Sequence, residues 1–190
     1  MRVYINLSGD CYPLRSSEEI EVVFDNQTDG FMRFWKLPYD GWHEGGLWRL
    51  KHFIFLSKNT HPYVKFYGIS RLRKGIPGGL EPYGGYAWFC LPKGFVSYSL
   101  DFIKRNSKFK SFYKSTFAPG EMFFQTILMN SGFKRRIQND DKRFMEFEGS
   151  HPKILTIHDY NELRKSGKLF ARKFDPAVDK MIIDKLDQDI

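Results

Sequence analysis

The chain has 190 residues, 42% of them hydrophobic and 17% aromatic, with 19 Phe, 10 Tyr and 4 Trp. That composition excludes a disordered or low-complexity chain and suffices for one domain with a substantial core. No apolar run is long enough to cross a membrane as a helix, and no signal-peptide pattern opens the sequence. The formal net charge of +8 favours an anionic partner, yet the basic residues are scattered over 71–74, 104–110, 134–136 and the last third. Scattered surplus charge is ordinarily solvated surface, which argues against a nucleic-acid-binding module. Cys11 and Cys90 form neither a CxxC metal pattern nor a disulfide framework. In apolar, strand-like settings both are expected as buried free thiols, in keeping with a reducing compartment.

In chain order, residues 1–7 (MRVYINL) read as a buried strand ending in the Ser8-Gly9-Asp10 turn, at a strand end where α/β proteins bind ligands. Ser16-Ser17-Glu18-Glu19 has the form of a helix start, with the helix reaching about Asn26. Residues 31–36 alternate as a strand, 38–46 are turn-rich, and 47–56 (LWRLKHFIFL) predict a helix. The stretch 57–84 is irregular but too rich in Tyr, Phe and Ile for a free linker. Tyr86–Leu91 predicts a strand, Pro92 opens a helix through about Arg105, and a short helix follows over 107–114. Short strands are expected at 133–138, 143–147 and 154–157, a helix from Asp159 to about Ser166, a basic, aromatic stretch at 168–174, and a last helix over 179–190. The class is mixed α/β.

Residues 115–131 (STFAPGEMFFQTILMNS) organise the rest. Pro119 suits a first helical position, and Glu121 then falls in the first turn, where the helix dipole favours negative charge. Met122, Phe123, Phe124, Ile127, Leu128 and Met129 leave no polar stripe, so the helix is expected to be buried. Two readings stand here: a carboxylate presented on a rigid support for chemistry, or an ordinary acid satisfying helix amides. The chain has no P-loop, GxGxxG, HExxH, GxSxG, EF-hand loop or DxD triplet, and its histidines are dispersed, so no metal site is expected. Loops rich in Trp, Tyr and Gly beside Glu and Arg suit sugars, which offer an apolar ring face and a rim of hydroxyls. Taken singly, each aromatic is more often core.

Five ordered blocks then carry a resemblance. INLSGDCYPLRSSEEI (5–20), GGYAWFCLPKGFVSYSL (84–100), STFAPGEMFFQTIL (115–128), KRFMEF (142–147) and LFARKFD (169–175) resemble landmarks of the core-2/I-branching family of β-1,6-N-acetylglucosaminyltransferases, which includes peptide O-xylosyltransferases. The resemblance covers residues 3–186. It implies a GT-A-like fold and an inverting, metal-independent glycosyltransferase, with UDP-GlcNAc or UDP-xylose as donor and a glycan as acceptor. It implies no cofactor, no nucleic acid, and Glu121 as general base. Lys173 is the implied diphosphate cation, Lys153 or His151 stands for the family's second one, and Arg172 is an auxiliary. On the acceptor side it implies Glu44, Trp48, Arg49, Tyr86 and Phe147.

The chain departs from the family pattern at Ala118 and Gly120, where the SPDE block has Ser and Asp; at Cys11, where the first block has Asp; and at Phe147, where Trp is usual. In the family a nucleotide-binding half precedes the first block. Residues 1–190 are therefore expected to form one partial catalytic domain, with apolar surface exposed along Val3–Leu7 and little activity alone. The alternative is an inactive carbohydrate- or protein-binding remnant. The expected location is cytoplasmic and membrane-peripheral in a bacterium, or the Golgi lumen in a eukaryote.

Overall fold

Alternating buried and exposed positions set where each segment lies, and the computed structural model describes them for residues 2–56, 66–69, 73, 75–149 and 151–190. The chain divides into two compact units. The first comprises Met1–Phe31, Trp88–Lys93 and Asp140–Ile190. Within it, strand Phe89–Pro92 lies between Val3–Ile5 and Gly30–Met32. Val3 pairs antiparallel with Pro92 and Ile5 with Cys90. Helix Ser17–Phe24 starts as the sequence predicts: the Glu19 N–H donates to Ser16 Oγ at 3.2 Å and the Ser16 N–H to the Glu19 carboxylate at 2.9 Å. Those reciprocal bonds satisfy two of the amides that a helix N-terminus leaves unpaired. Phe24, with Ile20 partly buried, packs against Phe31, Cys90 and Phe170.

The basic, aromatic stretch at 168–174 is more deeply placed than its charge predicts. Phe170–Ala171 is the middle strand of a second sheet, parallel to Arg143–Phe144 and antiparallel to Tyr12–Pro13. Around it Leu14, Leu155, Leu163, Phe174, Ile182 and Leu186 form a core, the last two from helix Met181–Asp187. Asp179 caps that helix, accepting the Met181 N–H at 2.8 Å. The expected apolar exposure along Val3–Leu7 is found at Tyr4 and Leu7. Between this edge strand and the first helix lies an open groove of about 610 Å³, lined by Val3, Ile5, Ile20 and Phe24 among others.

The second unit comprises Met32–Ala87 and Gly94–Asn139. Helices Lys93–Arg105 and Ser107–Tyr113 agree with the sequence, and Phe109, Tyr113, Leu37, Leu50, Met122 and Ile127 form the core. The predicted helix over 47–56 is half wrong. Only Trp48–Lys51 is helical; His52 turns extended (φ −117°, ψ 147°) and Phe53–Leu56 is a strand paired with Phe66–Ile69. Aromatic and β-branched residues in a four-residue apolar run suit a pleated surface, and a distant partner decides the matter. The same pairing puts a strand inside the stretch expected to be irregular, while 57–65, 70–72 and 74 lie outside the described residues. The single strand expected over 31–36 is two, Gly30–Met32 and Trp35–Lys36, the latter paired with Tyr83–Gly84. No strand forms at 154–157; His151–Pro152 pairs with Phe147–Glu148 instead, and Ile157–Asp159 is a 3-10 turn.

Candidate active site

Glu121 does not stand in the first turn of the buried helix. Ala118 adopts a left-handed conformation (φ 44°, ψ 56°), Pro119–Glu121 makes a separate 3-10 turn, and Met122 (φ −139°, ψ −22°) breaks the chain before helix Phe123–Met129. The helix is as deeply buried as its composition predicts, from Gln125 to Met129. Its amides are nevertheless not the support of Glu121. The turn is fixed instead by the Gly85 N–H, which donates to the Glu121 carbonyl at 2.8 Å. Beside it Gln125, 1% exposed, donates from Nε2 to the Tyr86 carbonyl at 2.6 Å. Gly85 and Tyr86, just after strand Tyr83–Gly84, are therefore tied to the turn bearing Glu121 and to the helix that follows it.

The Glu121 side chain is 40% exposed, and Arg49 Nη1 donates to its Oε2 at 2.6 Å. Arg49 itself is 15% exposed. Its guanidinium lies 4.0 Å from the ring centroid of Trp42, 5.5 Å from Phe117 and 6.0 Å from Trp48. Trp48 and Phe117 pack at 5.1 Å. Trp35 continues the cluster, meeting Trp42 edge-on at 5.4 Å, Tyr86 edge-on at 5.6 Å and Tyr39 in a stack at 4.5 Å. The structure thus brings Glu121, Arg49 and Trp48 together, with Tyr86 joined to Arg49 through Trp42 and Trp35. Glu44 is exposed at a left-handed position (φ 48°), 3.6 Å from His43. Trp42, Trp35 and Phe117 escape the sequence reading; Trp42 stands in a turn-rich stretch without a motif, and only its spacing six residues before Trp48 could have flagged it.

The basic candidates belong to the first unit. Lys173 is half-buried, its backbone N–H donating to the Lys153 carbonyl at 3.4 Å and its carbonyl accepting from Leu155 at 2.8 Å. Among the described residues its ammonium has no carboxylate within ion-pair distance. Lys153, by contrast, is held by Asp159 at 2.7 Å and Glu146 at 3.0 Å, contacts that raise its pKa. Arg172 pairs with Asp10 at 2.7 Å and lies 4.1 Å over Trp88. Burial alone would raise the Asp10 carboxyl, but hydrogen bonds from Arg172 and Ser8 outweigh it and hold the carboxyl below its ordinary value. The Arg143 guanidinium, buried and donating to the Asn6 carbonyl at 2.9 Å, lies 5.4 Å from the same Trp88. His151 is exposed, opposite Glu148 in its hairpin. Phe147, 48% exposed, belongs to this unit too. Among the described residues no three His, Cys, Asp or Glu side chains are grouped to hold a metal.

A half-exposed carboxylate clasped by an arginine that is itself seated among aromatic rings, on a mixed α/β scaffold, suits carbohydrate chemistry. The chain belongs to the Core-2/I-Branching enzyme family, whose sequence model matches residues 2–164. It is similar to Xylosyltransferase 1 of Rattus norvegicus, 30% identical over 208 residues that cover 97% of this chain and 24% of that protein. Xylosyltransferase 1 of Homo sapiens is 29% identical over 208 residues, with 97% and 20% covered. Xylosyltransferase 2 of Canis lupus familiaris is 25% identical over 218, with 97% and 22% covered. The chain therefore spans about a quarter or less of the length of these relatives. The architecture is consistent with a GT-A-like glycosyltransferase fold.

Proposed function

We propose that this chain carries the base and the diphosphate cation of an inverting glycosyltransferase that moves a sugar from a UDP-sugar to an acceptor hydroxyl. The observation that carries the reading is the Glu121 carboxylate, clasped at Oε2 by Arg49 and partly open to solvent. In the reaction the acceptor oxygen forms a bond to the anomeric carbon as the bond from that carbon to the diphosphate oxygen breaks. The acceptor proton passes to Glu121, and the electron pair leaves with UDP. The departing diphosphate needs fixed positive charge, and Lys173, whose ammonium has no carboxylate partner among the described residues, is the group we assign to it. Arg172 and Lys153 already serve carboxylates, so in this reading they shape the surroundings of Lys173. No metal is assigned a part.

For the donor, the xylosyltransferase names of the relatives put UDP-xylose ahead of UDP-GlcNAc. For the acceptor, Trp48, Tyr86, Glu44 and Phe147 are the side chains we assign, by stacking and hydrogen bonding. The test is transfer from radiolabelled UDP-xylose and UDP-GlcNAc, with EDTA present, by the wild-type chain and by Glu121→Gln. Transfer that survives EDTA and falls by about a hundredfold or more in Glu121→Gln supports the reading, general-base contributions being of that order. Glycan binding that is equal in both proteins, without transfer, would instead establish the alternative of a carbohydrate-binding remnant.

A further inference from the structure

The resemblance groups Arg49 with the acceptor-binding residues, but its surroundings leave that guanidinium little to offer an acceptor. Nη1 is spent on Glu121 Oε2 at 2.6 Å, one face lies 4.0 Å from Trp42, Phe117 approaches within 5.5 Å, and Nε is buried without a partner. Only 15% of the side chain reaches solvent, against 40% of Glu121. We propose that Arg49 is a positioning residue for Glu121, seated on Trp42, and not an acceptor ligand. The inference rests on Glu121 being the base.

The geometry explains how. Glu121 stands at the end of a three-residue 3-10 turn, with a break after it and no helix-capping side chain before it, so the backbone gives its side chain little help. A carboxylate has two oxygens, and a base needs one of them free and aimed. Arg49 takes Oε2; Oε1 has no hydrogen-bond partner among the described residues and is the oxygen left to receive a proton. A guanidinium is planar, so the flat indole of Trp42 fixes its plane, and that plane fixes the carboxylate. Lys in place of Arg keeps the charge and loses the plane. Trp42 thereby acquires a role no sequence motif gives it: it is the seat on which the base is levelled.

A positioning residue and an acceptor ligand differ in kinetics. Loss of a ligand raises the acceptor KM and leaves kcat; loss of alignment lowers kcat and leaves KM. The experiment measures transfer from UDP-xylose to a serine-containing peptide, and hydrolysis of UDP-xylose by water, for wild type, Arg49→Gln, Arg49→Lys, Trp42→Leu and Glu121→Gln. Expected are kcat losses of about ten- to a hundredfold in Arg49→Gln, with acceptor KM within about twofold, because misplacing a reacting group costs that much. Arg49→Lys should recover part of kcat, and Trp42→Leu, which leaves the salt bridge intact, should lower kcat in the same sense. Hydrolysis, which has no peptide to bind, should fall in parallel.

A raised acceptor KM with unchanged kcat in Arg49→Gln overturns the inference and restores Arg49 to the acceptor. Wild-type kcat in both Arg49 variants overturns it as well. Should Arg49→Gln fail to fold, Arg49→Lys and Trp42→Leu decide by the same split. Equal turnover by wild type and Glu121→Gln, or none by wild type, overturns instead the reading on which the inference rests, and the inference with it.

Discussion

The Gly85 amide donates to the Glu121 carbonyl at 2.8 Å, at a position where a methyl group does not fit. A Cβ on Gly85 would overlap the Arg33 carbonyl oxygen and come within 3.1 Å of Gln125 Cγ. The glycine is needed here for close approach. Gly85→Ala is expected to destabilise by about 1–3 kcal/mol, the usual range for overpacking. It should also lower turnover beyond what the stability loss explains, since it displaces the turn that holds Glu121, the proposed base. Denaturant melts and transfer kinetics on the same samples check both.

Lys173 and Lys153 are backbone neighbours with opposite prospects. UDP binding by calorimetry in EDTA should weaken by roughly ten- to a hundredfold in Lys173→Ala, the order expected for one charge-assisted hydrogen bond. Lys153→Ala should affect binding less and stability more, because it leaves Glu146 and Asp159 facing each other without their cation. A larger binding loss in Lys153→Ala than in Lys173→Ala would reverse the two assignments.

Asp10 gives the fold an acid-sensitive joint. Its folded pKa lies below the ordinary value, so its contribution is complete above the unfolded value of about 3.9 and is lost as pH falls through the folded one. Asp10→Asn should cost on the order of 1–3 kcal/mol at pH 7, leaving the Arg172 guanidinium without its carboxylate. The gap to wild type should hold from pH 7 to about pH 4 and narrow below it. Urea melts across that range test the shape.

The thiols separate by depth. Cys90 is fully buried, and burial pushes its pKa up to about 12, whereas Cys11 is only half-buried, 3.1 Å from Ser8 Oγ. A thiol reagent at pH 8 should label Cys11 in the native chain and reach Cys90 only after denaturation. Mass spectrometry of the labelled peptides identifies the site.

Legibility followed the range of the forces. The Ser16–Glu19 cap, the helix from Lys93 to Arg105 and the burial of Gln125–Met129 were readable because each depends on neighbours three or four residues away. The strand at Phe53–Leu56 was not, since its partner Phe66–Ile69 stands beyond any local period. Nor was the break at Met122: nothing about an alanine announces the left-handed Ala118 that precedes it. The candidate base Glu121 and the candidate cation Lys173 could be named from ordered blocks, whereas Trp42 and the clasp of Arg49 on Glu121 exist only once distant turns have met. Cys11, read as buried, proved half-exposed because the turn after Ile5 carries it to the surface.

The first unit is stitched from Met1–Phe31, Trp88–Lys93 and Asp140–Ile190, and the second from the two stretches between. The path therefore crosses from one to the other four times, and no single cut releases either as a continuous polypeptide. A truncation after residue 139 would keep Glu121 and Arg49 while stripping Trp88 of Arg143 and Arg172, and Cys90 of Leu169 and Phe170. Gene dissection into a half bearing Glu121 and a half bearing Lys173 is thus closed to this chain. The roles proposed for the two residues can be separated only by point substitution.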